Sequence, residues 1–262
     1  MITAAFPTAW RTLALAAALL ASPLFASPLF ASSLAQASEH GKPAPKPWSP
    51  VTLQTALGDL PKGNAAAGKA VHDSMMCASC HGAAGNAATM NWPSVAGQRY
   101  DYTAKMLLDY RSGLRSEDER AGLMTSIARL MTPQQIADVS AYYASLPKPV
   151  APQAQAALAA PLTAAEHKRV EQLVRKGDAN RLITACASCH GLHGEGKGTT
   201  PAIAGQTTDY FIRTMRLYHN GERQNDVYKG MSQFSQRLSD ADTLLIARYY
   251  ASQGQSQTAK AD

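Results

Sequence analysis

A chain of 262 residues has room for one large domain or two smaller ones, and for a sizeable core in either case. With 45% hydrophobic and 17% charged residues, and only 18 glycines and 15 prolines, it is too apolar for wholesale disorder and too poor in Gly and Pro for a fibre, so it reads as globular. The formal charge of +6 suits nucleic acid, an anionic membrane or an acidic protein without choosing among them, and four cysteines are too few for a disulfide scaffold.

In chain order, residues 1–37 read as a secretory signal. Arg11 is the only charge, Leu13 to Ala21 is an apolar run, and Ala35-Gln36-Ala37 is a small-x-small cleavage site, which predicts Ser38 as the mature N-terminus and an exported chain. An uncleaved anchor is the alternative, since no charge falls between Arg11 and Glu39, and Pro23 and Pro28 argue against it. Residues 38–62 follow as a Pro-rich arm, extended from Gly41 through Pro50. Next comes Cys77-Ala78-Ser79-Cys80-His81-Gly82, then Pro93-Ser94-Val95-Ala96-Gly97-Gln98, then a stretch of helical period from Asp101 to Ser112. Thr132-Pro133-Gln134-Gln135 offers an N-cap, a first-turn proline and a capping-box glutamine, with Ile136, Val139 and Tyr143 on one face of the helix it opens.

Residues 147–162 are a Pro- and Ala-rich linker, after which the pattern repeats. Thr163 and Glu166 cap a helix that Gly177 can end. Cys186-Ala187-Ser188-Cys189-His190-Gly191 returns 109 residues after its first copy, and Pro201-Ala202-Ile203-Ala204-Gly205-Gln206 returns 108 after its own. Asp101-Tyr102, Tyr110, Gly113 and Arg115 come back as Asp209-Tyr210, Tyr218, Gly221 and Arg223. Tyr142-Tyr143-Ala144-Ser145 comes back as Tyr249-Tyr250-Ala251-Ser252. Two copies mean two similar domains, too few for a solenoid, and no alternating β-branched run appears. The expected fold is all-α, with domains at 63–146 and 163–255.

C-x-x-C-H is the attachment signature of c-type haem. Two thiols three positions apart on one helical turn reach one edge of a porphyrin, and the adjacent histidine lies beneath the iron. Cys77, Cys80 and His81 are therefore assigned to one haem c, and Cys186, Cys189 and His190 to a second. Zinc would want its cysteine pairs far closer together than the 105 residues between them here, and a thioredoxin-like pair would want a βαβ context. Structural disulfides would leave both histidines unexplained. For the opposite face of each iron, aligning the copies on their Tyr-Tyr pairs leaves Met124 and Met231 as the coincident methionines, each 18 residues before the first tyrosine. Both follow polar, glycine-containing stretches that read as loops, and a thioether opposite an imidazole is the usual cytochrome c arrangement. Met90 is the runner-up in the first copy. His40, His72, His167, His193 and His219 have no counterpart in the other copy and read mostly as solvated side chains.

These motifs, from about Gly63 to Ser252, resemble class I cytochromes c, and their duplication resembles the diheme cytochrome c4 family. The resemblance implies two tandem class I domains facing each other across a pseudo-twofold interface. It also implies that the Pro93 and Pro201 segments lie on the histidine side of each haem, where a backbone carbonyl orients the imidazole. The function it implies is periplasmic electron transfer from a quinol-oxidising bc-type complex toward a terminal oxidase or reductase, with no catalysis by the chain itself. A haem-carrying subunit of a periplasmic dehydrogenase or reductase is the alternative, and a haem enzyme or gas sensor would need an open sixth site. Haem propionates reduce the positive charge, so nucleic acid is not an expected partner, and membrane contact would come through redox partners.

Overall fold

The computed structural model describes residues 46–149 and 161–254, which fall within one compact unit. The signal segment and its cleavage site, the first part of the arm and most of the linker lie outside the described residues. The described residues hold eleven α-helices and no strand. The first half carries α1 (Pro50–Gly58), α2 (Ala65–Ser74), α3 (Ala78–His81), α4 (Tyr100–Ser112), α5 (Glu119–Leu130) and α6 (Pro133–Ser145). The second carries α7 (Ala164–Lys176), α8 (Ala187–His190), α9 (Thr208–His219), α10 (Gly230–Ser235) and α11 (Asp240–Gln253). None of these helices is long and apolar enough to cross a membrane.

Helix ends are set by local chemistry. Thr132 with Gln135, Thr163 with Glu166 and Ser239 with Asp242 each close a capping box, satisfying two otherwise orphaned donors at the starts of α6, α7 and α11. In the first half α2 lies along α6, and α4 packs on both α5 and α6. Gly68 makes the first contact possible, because a Cβ there would stand 2.0 Å from the carbonyl oxygen of Asp138. Ile136, Val139 and Tyr143 point into the first core, as their spacing on one face requires. The second half repeats the plan, with α11 packed on α7 and α9 around Val170, Val174, Ile246 and Tyr250.

The arm differs from the extended reading beyond residue 49. Ser49 and Thr52 form a capping box with Pro50 in the first turn, so residues 50–58 are helical. Leu53 is buried, and Leu57 and Leu60 join the first core. The indole N–H of Trp48 donates to the buried Asp109 carboxylate on α4.

The two halves meet through polar groups. Lys105 Nζ donates to Asp109 at 2.5 Å and to the Asn225 carbonyl oxygen at 2.7 Å, while Asn225 Nδ2 donates to Asp109 at 2.6 Å. Arg213 pairs with Asp118 at 2.6 Å. The start of the linker is seated between the halves: Gly97 lies against Lys148, and a Cβ on Gly205 would stand 2.0 Å from the Pro149 carbonyl oxygen. With φ near +72°, Gly205 also occupies backbone space that only glycine enters freely.

Candidate haem centres

Each C-x-x-C-H segment forms a single helical turn. Cys77 and Cys186 stand at the N-caps of α3 and α8, and the histidine amides bond back to the cysteine carbonyls at 3.0 and 2.9 Å. This turn puts each cysteine pair on one side and the histidine directly after it. None of the four cysteines is paired in a disulfide; Cys77, Cys80 and Cys186 are half-buried and Cys189 is exposed.

Both histidines are buried and both are oriented in the same way. His81 Nδ1 bonds the Pro93 carbonyl at 2.9 Å, and His190 Nδ1 bonds the Pro201 carbonyl at 3.0 Å. A carbonyl only accepts, so Nδ1 must carry the proton, and Nε2 keeps its lone pair. Burial pushes both imidazoles below their ordinary value, with the proline carbonyls pulling the other way. No described residue hydrogen-bonds either Nε2. A neutral imidazole with its tautomer fixed and its second nitrogen uncommitted suits an axial ligand of haem iron.

Non-helical residues 113–118 and 221–226 precede the methionines, as the loop reading expects, but α5 begins five residues before Met124. Met124 lies within α5, whose N-terminus is capped by Asp118, and packs against the first core. Met231 is the second residue of α10 and packs against the second core. Just before α10, Tyr228 and Lys229 take φ of 58° and 55°, a left-handed turn that redirects the chain into it. The sulfurs of other methionines are engaged between the halves. Met90 Sδ accepts from Thr208 at 3.9 Å, and Met106 Sδ from Arg115, Arg223 and Asn225 at 3.5–3.7 Å.

His72 is not solvated: it is fully buried on α2, with Nδ1 bonded to the Tyr143 hydroxyl at 2.9 Å. The repeated Arg115 and Arg223 are also buried, each lying 4.5 Å over the ring of Tyr110 or Tyr218. Arg115 is neutralised by Glu117 at 2.5 Å, whereas Arg223 faces Asn225 at the equivalent position. The duplication singled out these arginines, but a lone basic residue in sequence carries no sign of burial.

The cytochrome c family model matches residues 65–147 and 177–253. Cytochrome c4 of Thiocapsa roseopersicina is 33% identical over 187 residues, covering 70% of this chain and 88% of the relative. The thiosulfate dehydrogenase electron acceptor of Stutzerimonas stutzeri is 33% identical over 186 residues, covering 70% and 82%. The crystal structure of reduced recombinant cytochrome c4 from Pseudomonas stutzeri superposes with a TM-score of 0.62 at 28% identity, covering 72% of this chain and 98% of that one. With two such domains, each bearing a C-x-x-C-H turn, the chain belongs to the cytochrome c family as a diheme cytochrome c4, an electron carrier with two covalently bound haem c groups.

Proposed function

We propose that the chain works in the periplasm, exported by a signal segment at 1–37, with its two haem domains at 63–146 and 163–255 and the arm and linker at 38–62 and 147–162. Cys77, Cys80, Cys186 and Cys189 would attach the haems through thioethers, with His81 and Met124 holding one iron and His190 and Met231 the other. Haem iron supplies a one-electron Fe(II)/Fe(III) couple. The protein's part is to hold both axial ligands through the cycle, to keep the histidine tautomer fixed through Pro93 and Pro201, and to bury each site beside an apolar core. A thioether, being a weak neutral donor, favours the reduced iron, so positive potentials are expected. These ligand sets ask no side chain to move a proton, so the chain is the substrate of redox enzymes rather than an enzyme.

The observation that carries this reading is the twin arrangement of a C-x-x-C-H turn and a histidine bound through Nδ1 to a proline carbonyl. Carbon monoxide titration of the fully reduced holoprotein tests it, with haem number fixed by intact mass. Two haems with neither iron binding carbon monoxide are expected; stoichiometric binding at one iron would replace the carrier assignment with catalysis or sensing. Met124→Ala and Met231→Ala should each open one iron while covalent haem stays at two, and an unchanged ligand-field spectrum would refute that axial assignment.

The likeness to thiosulfate dehydrogenase electron acceptors favours a second reading, in which the chain takes electrons from a periplasmic dehydrogenase. Among the general donors and acceptors, a bc-type complex and a terminal oxidase or reductase remain our first assignment. Reduction of the purified protein by a dehydrogenase faster than by a quinol-oxidising complex would reverse that order.

A further inference from the structure

The two glutamines that end the P-x-x-A-G-Q segments reach across the interface, and each grips the other half. Gln98 Oε1 accepts from the Ala202 N–H at 2.8 Å, while its Nε2 donates to the Ala202 carbonyl at 3.0 Å. Gln206 does the same to Ser94, accepting at 2.9 Å and donating at 3.0 Å. All four residues are buried. The gripped amides are the important part of this contact. The Ala202 N–H belongs to the same peptide unit as the Pro201 carbonyl that orients His190, and the Ser94 N–H shares its unit with the Pro93 carbonyl that orients His81. One planar peptide group therefore joins each histidine to the glutamine of the opposite half.

We propose that Gln98 and Gln206 are positioning residues acting in trans: each sets the orientation and donor strength of the axial histidine in the domain to which it does not belong. A hydrogen bond at the N–H end of a peptide polarises its carbonyl, and such chains reinforce one another. Accepting from the Ala202 N–H makes Pro201 a stronger acceptor for His190 Nδ1–H, which makes the imidazole a better donor and stabilises the ferric iron. The coupling is unequal. Thr207 Oγ1 also donates to the Trp92 carbonyl at 2.8 Å, so the second half holds the 92–94 segment at an additional point. Position 99, the counterpart of Thr207, is an arginine and has no hydroxyl to make that contact.

This proposal rests on His81 and His190 being the axial ligands. The test uses the full-length protein with both haems, ¹⁵N-histidine NMR to follow each Nδ1–H, and redox titration with haem-resolved signals. Gln98→Leu should raise the potential of the second haem and shift the His190 signal while leaving the first haem in place. Gln206→Leu should act on the first haem, and by less. Arg213→Ala breaks an interface ion pair without touching either peptide unit and controls for simple loosening. Should Gln98→Leu fail to load two haems, Gln98→Asn withdraws the same contact by one methylene. A Gln98 variant that moves both haems alike, only the first, or neither overturns the proposal. Absence of hyperfine-shifted histidine ring signals in the unaltered protein overturns the axial assignment and this proposal together.

Discussion

Asp109 is the charge on which three segments converge, and its removal should be among the costliest single changes in the chain. It lies on α4 with no exposed surface, and receives hydrogen bonds from Lys105 at 2.5 Å, Asn225 at 2.6 Å and the indole of Trp48. In Asp109→Asn one amide oxygen must serve donors that two carboxylate oxygens serve now, and the new NH₂ faces donors rather than acceptors. Lys105, whose side chain is only 5% exposed, loses its counter-charge. Stranding one member of a buried pair costs about 3–5 kcal/mol. In a protein of this size each kcal/mol lowers the melting temperature by about 2–4 °C, so a fall of roughly 10 °C is expected. Replacing both members by apolar residues of similar size, Lys105→Met with Asp109→Leu, removes the stranded charge but still leaves the Asn225 amide and the Trp48 indole without their acceptor, so it should recover only part of the loss. Thermal unfolding of the holoprotein followed by far-ultraviolet circular dichroism measures both variants. A single variant within 1 °C of the parent, or a double variant less stable than the single, would refute the account.

Two further predictions concern the second half. Burial alone would raise the Asp242 pKa, but hydrogen bonds from Arg181, Arg169 and Ser239 outweigh it and hold the carboxyl well below the usual range. Its folded value being lower than its unfolded value of about 4, the stabilisation is complete above pH 4 and is lost as pH falls through the folded value. Urea unfolding of Asp242→Asn should thus show a smaller loss of stability on acidification than the parent; equal losses would contradict the assignment. Gly205→Ala should destabilise the protein by about 2 kcal/mol or more, because its methyl would meet the Pro149 carbonyl at 2.0 Å in a left-handed conformation. An unchanged melting temperature would show that the linker does not thread between the halves as described.

Features written in short stretches of sequence were legible before any coordinates. The capping boxes at Thr132 and Thr163 involve residues three apart, and the C-x-x-C-H turns are equally local. The helix at 50–58 was hidden by Pro50, which marks an extended tract or a first helical turn with equal ease. The stretch before Met124 is polar and carries a glycine, Gly122, yet Asp118 caps a helix there, so the methionine lies on α5 rather than just past a loop. His72 looked solvated because a single histidine shows nothing of the tyrosines packed over it. The grip of Gln98 on Ala202 spans 104 residues of chain; duplication marked both glutamines as repeated, but only the fold brings each to the other's backbone.

Many of the bonds between the halves come from amides, hydroxyls and charged groups, among them Gln98, Gln206, Thr207, Lys105, Asn225 and Arg213. Water can replace most of these bonds at little net cost, about 1 kcal/mol each, so the same two halves made as separate molecules would associate weakly. Joined by one short stretch of chain, each instead sees the other at a local concentration of order millimolar, and docking becomes an intramolecular event. Covalent connectivity thus helps keep the pair assembled at high dilution, and a single cut between residues 150 and 160 would convert one carrier with two centres into two carriers with one each.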